Sequence, residues 1–162
     1  MAMARKVRPL TEDEQAKLDE FREQAKADPL DWFKHDNDAH TDEGVRLLIA
    51  ARGMEAYGFY WCLMEVLAAR KNHCYDVSTE LGWQFLAKDM SPGVEVMGVD
   101  ECKDFVHALA GYGLIDRECL EKSSHVISNR ICRNAAERNE STAQNKFKGW
   151  RSGRARRGEG IT

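Results

Sequence analysis

Cations alternate with aromatic side chains near the C-terminal end of the sequence, and this segment is the best suited to chemistry with another molecule. Lys146, Lys148 and Arg151 are interleaved with Phe147 and Trp150. Three more arginines follow: Arg154, Arg156 and Arg157. Cations bind phosphate groups and aromatic rings stack on bases, so the segment could bind single strands or duplex phosphates. The alternative is a solvated tail whose two rings fold back on the domain.

The charge of the chain is divided between two unlike parts. Residues 128–157 contain nine basic and two acidic residues, a net charge of +7, although the whole chain has a net charge of -3. Residues 1–127 contain 15 basic and 24 acidic residues, a net charge of -9. We therefore expect a polyanion to bind at one end only. The residues expected to contact DNA are Arg117, Lys122, Arg130, Arg133, Arg138, Lys146, Lys148, Trp150, Arg151, Arg154, Arg156 and Arg157.

The densest group of possible metal ligands is the segment His35–Glu43, which contains two histidines and four acidic residues. A calcium loop of the EF-hand type needs Gly at its sixth position and Glu at its twelfth. Counting from Asp36, these positions hold Thr41 and Leu47. No paired spacing of zinc ligands is present either, so the polar side chains are expected to cap the next helix. We predict neither a metal site nor a cofactor.

The sequence offers no catalytic constellation and no membrane-spanning segment. Its five cysteines form no C-x-x-C pair: Cys62, Cys74, Cys102, Cys119 and Cys132. Several lie among apolar neighbours at helical spacing, which is typical of buried, reduced thiols. Nothing local supplies an orienting base or oxyanion donors for a nucleophile. The N-terminus also lacks the apolar stretch of a secretory signal. We expect a cytoplasmic, non-enzymatic protein without a membrane partner.

Helices must position most of the candidate residues. Thr11 and Glu14 form a capping box that begins a first helix. The apolar stripe of this helix is thin, with Leu18 and Phe21 on one face. Residues 1–30 are therefore predicted to form a loosely docked helical arm.

The centre of the domain is predicted to contain two consecutive helices. The first should end at Gly53, and a more strongly apolar helix should follow over Met54–Arg70. Gly58 within that helix predicts the close approach of another element, because glycine is otherwise unfavourable there. The aromatic pair Trp32 and Phe33 is expected to insert into the core.

The second half of the domain is predicted to combine helices with one hairpin. A third helix through Met90 and a fourth ending near Gly111 precede two predicted strands, residues 114–115 and 125–127. A polar turn over residues 117–124 would join these strands. This order predicts a mainly α fold with a small β-hairpin, of winged-helix-like layout.

The last predicted helix begins after Ser128, and its apolar periodicity fades beyond Ser141. Four glycines in the remaining segment indicate flexibility. The predicted organisation is therefore a winged-helix-like domain over residues 31–140 and a basic flexible tail over residues 141–162.

The fourth helix would be the recognition helix of a DNA-reading winged helix, but its composition does not suit that role. Its outward residues are Glu101, Lys103, Asp104 and His107. Readers of base edges are typically Arg, Lys, Asn or Gln, so sequence-specific reading is not expected. The hairpin turn offers Arg117 and Lys122 for phosphate contacts.

Residues 31–138 resemble the N-terminal domain of phage and prophage replisome-organiser proteins, the DnaD-like group. The resemblance is carried by Trp32-Phe-Lys-His-Asp36, Ala39, Asp42, Leu47, Gly53, Tyr57-Gly-Phe-Tyr-Trp61, Glu65, Gly113–Ile115 and Ser128–Arg130. It implies a winged-helix module that acts at a phage replication origin by binding DNA, self-assembling or recruiting helicase-loading partners. It carries over no catalytic residue.

Three functional hypotheses follow. The first is a non-catalytic DNA replication accessory protein whose last helix and tail bind DNA. The second is a protein–protein assembly module that recruits a helicase or its loader without direct DNA binding. Self-assembly into a homo-oligomer is compatible with this hypothesis. The third is a small winged-helix transcriptional regulator, which would require sequence-selective binding.

Overall fold

Helices form most of the protein in the computed structural model, which describes residues 8–26, 28–91 and 96–157. The elements are α1 (Glu12–Ala25), α2 (Glu43–Ala68), β1 (Cys74–Asp76), α3 (Glu80–Asp89), α4 (Val99–Gly111), α5 (Arg117–Ser123), β2 (His125–Ile127) and α6 (Asn129–Arg156). The predicted mainly α fold with a small antiparallel β element is confirmed. Over the described ranges, no helix is both long and apolar enough to span a membrane.

Helix α2 consists of two helical segments joined at Gly53. Asp42 caps the first segment, because its Oδ1 accepts a hydrogen bond from the Val45 amide at 3.2 Å. Gly53 has φ 79° and ψ -179°, a conformation that is almost confined to glycine, and the predicted helix end at this residue is confirmed. The predicted close approach at Gly58 is wrong, since a Cβ at this position would meet no atom within 4 Å.

The main core lies between the second segment of α2, α4, the sheet and the first turns of α6. Its fully buried side chains include Tyr60, Leu63, Met64, Leu67, Val106, Leu109, Val126 and Ile131. Each buried side chain of this size contributes about 1.5–3 kcal/mol relative to exposure. Phe33 packs against this core, but Trp32 is 57% exposed, so the predicted insertion of the aromatic pair is correct only for Phe33.

The sheet pairs β1 with β2 in antiparallel register, with Tyr75 opposite Val126. The predicted hairpin between residues 114–115 and 125–127 is therefore wrong. Its expected turn is helix α5, which begins where Asp116 Oδ1 accepts a hydrogen bond from the Cys119 amide at 2.8 Å. Acid–base pairs four residues apart within α5 also favour a helix over a turn. The paired strands instead lie on either side of α3, α4 and α5 in the sequence, and α5 occupies the segment predicted to form the turn.

Helix α6 continues to Arg156, so the predicted flexible tail is helical over residues 141–156; residues 158–162 lie outside the described residues. Ala143 and Phe147 of α6 are buried against Leu18 of α1, in an apolar cluster separate from the main core. The apolar stripes of α1 and of the C-terminal half of α6 are each narrow, but the two stripes pack against each other and form one apolar cluster. Helix α1 is thus a docked helix that packs on the C-terminal half of α6.

Candidate nucleic-acid interface

The two cations expected in a hairpin turn lie on α5 and are paired there. Arg117 Nε lies 3.9 Å from Glu121 Oε1, and Lys122 Nζ lies 2.6 Å from Glu118 Oε1. All four side chains are exposed, and two cations balance two carboxylates. Helix α5 therefore has no excess positive charge for phosphate groups.

Arg130 and Arg138 contact the segment that precedes α2. The Arg130 guanidinium donates a hydrogen bond to the Asp36 carboxylate and lies 5.7 Å from the centre of the Trp61 ring. Only 13% of its side chain is exposed. Arg138 Nη2 lies 3.9 Å from Asp31 Oδ2. Arg130 thus stabilises the fold and has little surface left for a ligand.

Arg151 and Arg154 face α1 and are neutralised by its first turn. Arg151 Nε lies 3.1 Å from Glu14 Oε1, and Arg154 Nη1 lies 3.1 Å from Asp13 Oδ2. These arginines belong to the predicted DNA-contacting set, but in this arrangement carboxylates occupy the positions that phosphate groups would take.

The aromatic residues of α6 are packed between helices. Phe147 is 4% exposed, Trp150 is half-buried, and their ring centres lie 5.6 Å apart in a stacked arrangement. Leu18 and Phe21 of α1 complete their cluster. The alternative prediction, in which the two rings fold back on the domain, is therefore correct for the rings. Its other part, a solvated tail, is wrong over residues 141–156, because this segment is helical. Trp150 is not an open stacking surface here.

Four basic residues of α6 have no ion-pair partner within the residues that the structure describes: Arg133, Lys146, Lys148 and Arg156. Two of them lie on an exposed face that we call the outer face of α6, formed by Ser141, Asn145, Lys148, Ser152 and Arg156. This face is about 22 Å long at 1.5 Å per residue. Arg157 is exposed at the end of the helix. Residues 141–157 contain six basic residues and no acidic residue.

Small polar side chains separate the cations of the outer face. Short side chains allow a phosphodiester backbone to approach a helix closely, and seryl hydroxyls and the asparagine amide can donate hydrogen bonds to phosphate oxygens. The arrangement can therefore bind a polyanion by charge without reading its sequence.

The exposed side of α4, in the recognition-helix position, has mixed charge. Lys103 Nζ lies 2.6 Å from Glu80 Oε2, and Asp104 Oδ2 lies 2.7 Å from Arg52 Nη2. Glu101 is exposed beside them. These contacts leave α4 poorly suited to base edges in a major groove.

The polar loop before α2 uses its side chains for local structure. Asp42 caps α2, and Thr41 Oγ1 donates a hydrogen bond to the Asp38 carbonyl at 2.8 Å. The His35 ring stacks on Trp61 with ring centres 3.8 Å apart. Across the described part of the chain, no group of three or more His, Cys, Asp or Glu residues is arranged to hold a metal ion.

The acidic partners of α6 are not evident from sequence motifs alone. Glu14 has the sequence signature of a capping residue, and its Oε2 does accept a hydrogen bond from the Thr11 amide at 3.1 Å. The same carboxylate also binds Arg151. The Thr11 N–H and then Arg151 lower the pKa of Glu14 below its ordinary value of 4.5. The available signal was the composition of α1, which has six acidic and two basic residues.

One family model, described as Lin1244/Lin1753-like, N-terminal, matches residues 32–131. The matched range runs from the loop before α2 to the first turn of α6, whereas α1 and most of α6 lie outside it. The chain matches no curated protein and no solved structure.

Proposed function

The chain belongs to the Lin1244/Lin1753-like family, and we propose that it is a cytoplasmic, non-catalytic DNA replication accessory protein of the phage or prophage type. The replication role is supported by the resemblance of residues 31–138 to replisome organisers. Direct DNA binding is assigned to α6, and a replicative helicase or its loader is the proposed protein partner.

The observation that carries DNA binding is the one-sided charge of α6. Its C-terminal half has only basic charges, and Lys146, Lys148 and Arg156 are exposed without an ion-pair partner in the described residues. An ordered helix holds these cations in a fixed geometry, so they bind phosphates with less entropy loss than cations of a disordered tail.

The test is a fluorescence-anisotropy titration of labelled duplex and single-stranded oligonucleotides with the full chain at several salt concentrations. Each phosphate contact contributes about -0.9 to the slope of log affinity against log salt for duplex DNA. The triple variant Lys146→Gln, Lys148→Gln and Arg156→Gln should therefore reduce the magnitude of this slope by about 2 to 3.

The matched control is the double variant Arg117→Gln and Lys122→Gln, which removes cations that already have glutamate partners. We expect its salt slope to stay close to that of the parent chain. Absence of binding by the parent chain at low salt would contradict the DNA-binding function.

A second candidate function, recruitment of a protein partner, is favoured by an apolar groove along α2 that extends to both sides of Gly53. The groove has a volume of about 830 Å³, and Leu47 and Met54 in it are 48% and 65% exposed. Since residues 1–127 have a net charge of -9, the occupant that fits best is a basic amphipathic helix of a helicase or loader.

The double variant Leu47→Gln and Met54→Gln tests this second function. Both side chains are largely exposed, so the stability of the fold should change little. Binding to the purified helicase or loader should be lost while DNA affinity is retained. If the double variant binds the helicase and the loader as tightly as the parent chain does, the groove is excluded as the recruiting surface.

A further inference from the structure

We propose that α1 covers a second site on α6 that binds single-stranded DNA. We call this site the inner face of α6, formed by Phe147, Trp150, Arg151 and Arg154. The inference rests on the proposed function, because it assigns a strand class and a means of regulation to the same helix.

The first turn of α1 occupies the inner face as a phosphate backbone would. Its carboxylates, Asp13 and Glu14, each lie 3.1 Å from an arginine of the inner face, Arg154 and Arg151 respectively. Helix α1 is acidic, with six acidic and two basic residues, while residues 141–157 have six basic residues and no acidic one. Helix α1 and the inner face of α6 are thus complementary in charge, and a nucleic acid would compete with α1 for the same cations.

The apolar half of α1 occupies the positions that bases would take. Leu18 and Phe21 pack on Phe147 and Trp150, whose stacked rings are spaced three residues apart on the helix. The centre of the Trp150 ring also lies 5.0 Å from the Arg154 guanidinium carbon. Rings and cations on one face form a stacking surface with adjacent phosphate-binding groups, which is the combination that binds single strands.

The apolar contacts between α1 and the inner face are separate from the main core. Within the described residues, the apolar cluster of the inner face includes only residues of α6, α1 and Leu10 just before α1. The chain is anchored after α1, where the Leu30 amide donates a hydrogen bond to the Ala68 carbonyl at 2.8 Å. A displaced α1 therefore stays tethered and can return to its site.

The two faces of α6 should differ in the strand class that they bind. The outer face offers cations without rings, which suits duplex phosphates. The inner face offers two rings, which only unpaired bases can use for stacking. Release of α1 should consequently raise the affinity for single strands more than the affinity for duplex.

The test compares the full chain with the triple variant Asp13→Asn, Leu18→Ser and Phe21→Ser, using labelled oligo(dT) and a duplex of the same length. Hydrogen exchange of the α1 amides reports whether α1 has been released. We expect fast exchange in α1 and a rise on the order of 10-fold or more in the ratio of single-strand to duplex affinity. Adding Trp150→Ala to the triple variant should remove most of this rise.

The matched control is Glu20→Gln, which removes one negative charge from α1; among the described residues, the Glu20 carboxylate pairs with the α1 side chains Lys17 and Gln24. Its affinity ratio should stay within about 2-fold of the parent, since a screened surface charge has a small effect. An unchanged ratio with α1 released, or an α1 that stays protected in the triple variant, overturns the inference. The same titrations test the proposed function independently. If the parent chain binds duplex DNA in a salt-dependent way, DNA binding by α6 stands even when the inference about α1 fails.

Discussion

Arg22 of α1 and Glu140 of α6 form a two-point ion pair, in which Arg22 Nε and Nη2 each lie 2.8 Å from a different carboxylate oxygen. Hydrogen bonds from Arg22, and then from Gln144, lower the pKa of Glu140 from 4.5 to about 2. A carboxylate with a lowered pKa stabilises the folded state when it is ionised. Its contribution is therefore present above about pH 4.5 and is lost as the pH falls towards 2.

The variant Glu140→Gln should consequently differ from the parent chain in a pH-dependent way. Both side chains of the pair are more than a third exposed, so we expect a loss below about 1 kcal/mol in the free energy of unfolding at pH 7. The difference should shrink between pH 4.5 and 2, as measured by urea denaturation at each pH. The exposed Glu55→Gln serves as a control that should show no such trend. A difference for Glu140→Gln that stays constant down to pH 2 would exclude the ion pair as its source.

Gly53 and Gly58 should respond in opposite directions to the same substitution. A Cβ at either position would meet no atom within 4 Å, so packing is not involved. Gly58→Ala should stabilise the protein by about 1 kcal/mol because alanine is the better helix former. Gly53→Ala should destabilise it by about 1–3 kcal/mol because Gly53 has φ 79°. Urea denaturation measures the free energy of unfolding of both variants. Changes of the same sign in the two variants would contradict this account.

The sequence pattern predicts the helices well but not their long-range contacts. The kink at Gly53 follows from local chemistry, as does the start of α3, where Thr79 Oγ1 accepts a hydrogen bond from the Gly82 amide. The pairing of β1 with β2 does not, because each strand has three residues and the partners are far apart in sequence. The error at residues 117–123 has a different cause, because the capping Asp116 and the charged pairs are local signals that outweigh the turn-like composition.

The candidate site is predictable in its charge but not in its geometry. Counting charges locates the basic segment, and Lys148 and Arg156 are indeed exposed. The partners of Arg151 and Arg154 come from α1, at the other end of the chain. No local pattern reveals such a contact, because it depends on two weak apolar stripes meeting. Cation counts alone therefore overestimate the number of arginines that are free to bind DNA.

Cys102 should be the least reactive of the thiols in the folded protein. Its side chain is fully buried, and burial raises its pKa to about 11, so the thiol is protonated at pH 8. Alkylation at pH 8 followed by mass spectrometry should modify the half-buried Cys74 before Cys102. Prior unfolding in urea should remove the difference, and equal rates in the native state would contradict the buried position.

Arg130 and Lys148 should separate stability from DNA binding. Arg130 is 13% exposed, donates a hydrogen bond to Asp36 and lies over the Trp61 ring, so Arg130→Gln should lower the free energy of unfolding by about 1–3 kcal/mol. The salt slope of DNA binding should not change, because this guanidinium is already occupied. Lys148→Gln should do the reverse, with a stability change within about 0.5 kcal/mol and a slope reduced by about 0.9.

Urea denaturation measures the stability change of each variant, and fluorescence anisotropy at several salt concentrations measures its salt slope. A reduced slope for Arg130→Gln, measured where the variant is fully folded, would mean that Arg130 exchanges Asp36 for a phosphate on binding. The loop before α2 would then belong to the DNA interface. An unchanged slope would exclude Arg130 from the interface and leave the exposed cations of α6, among them Lys148 and Arg156 of the outer face, as the proposed contacts.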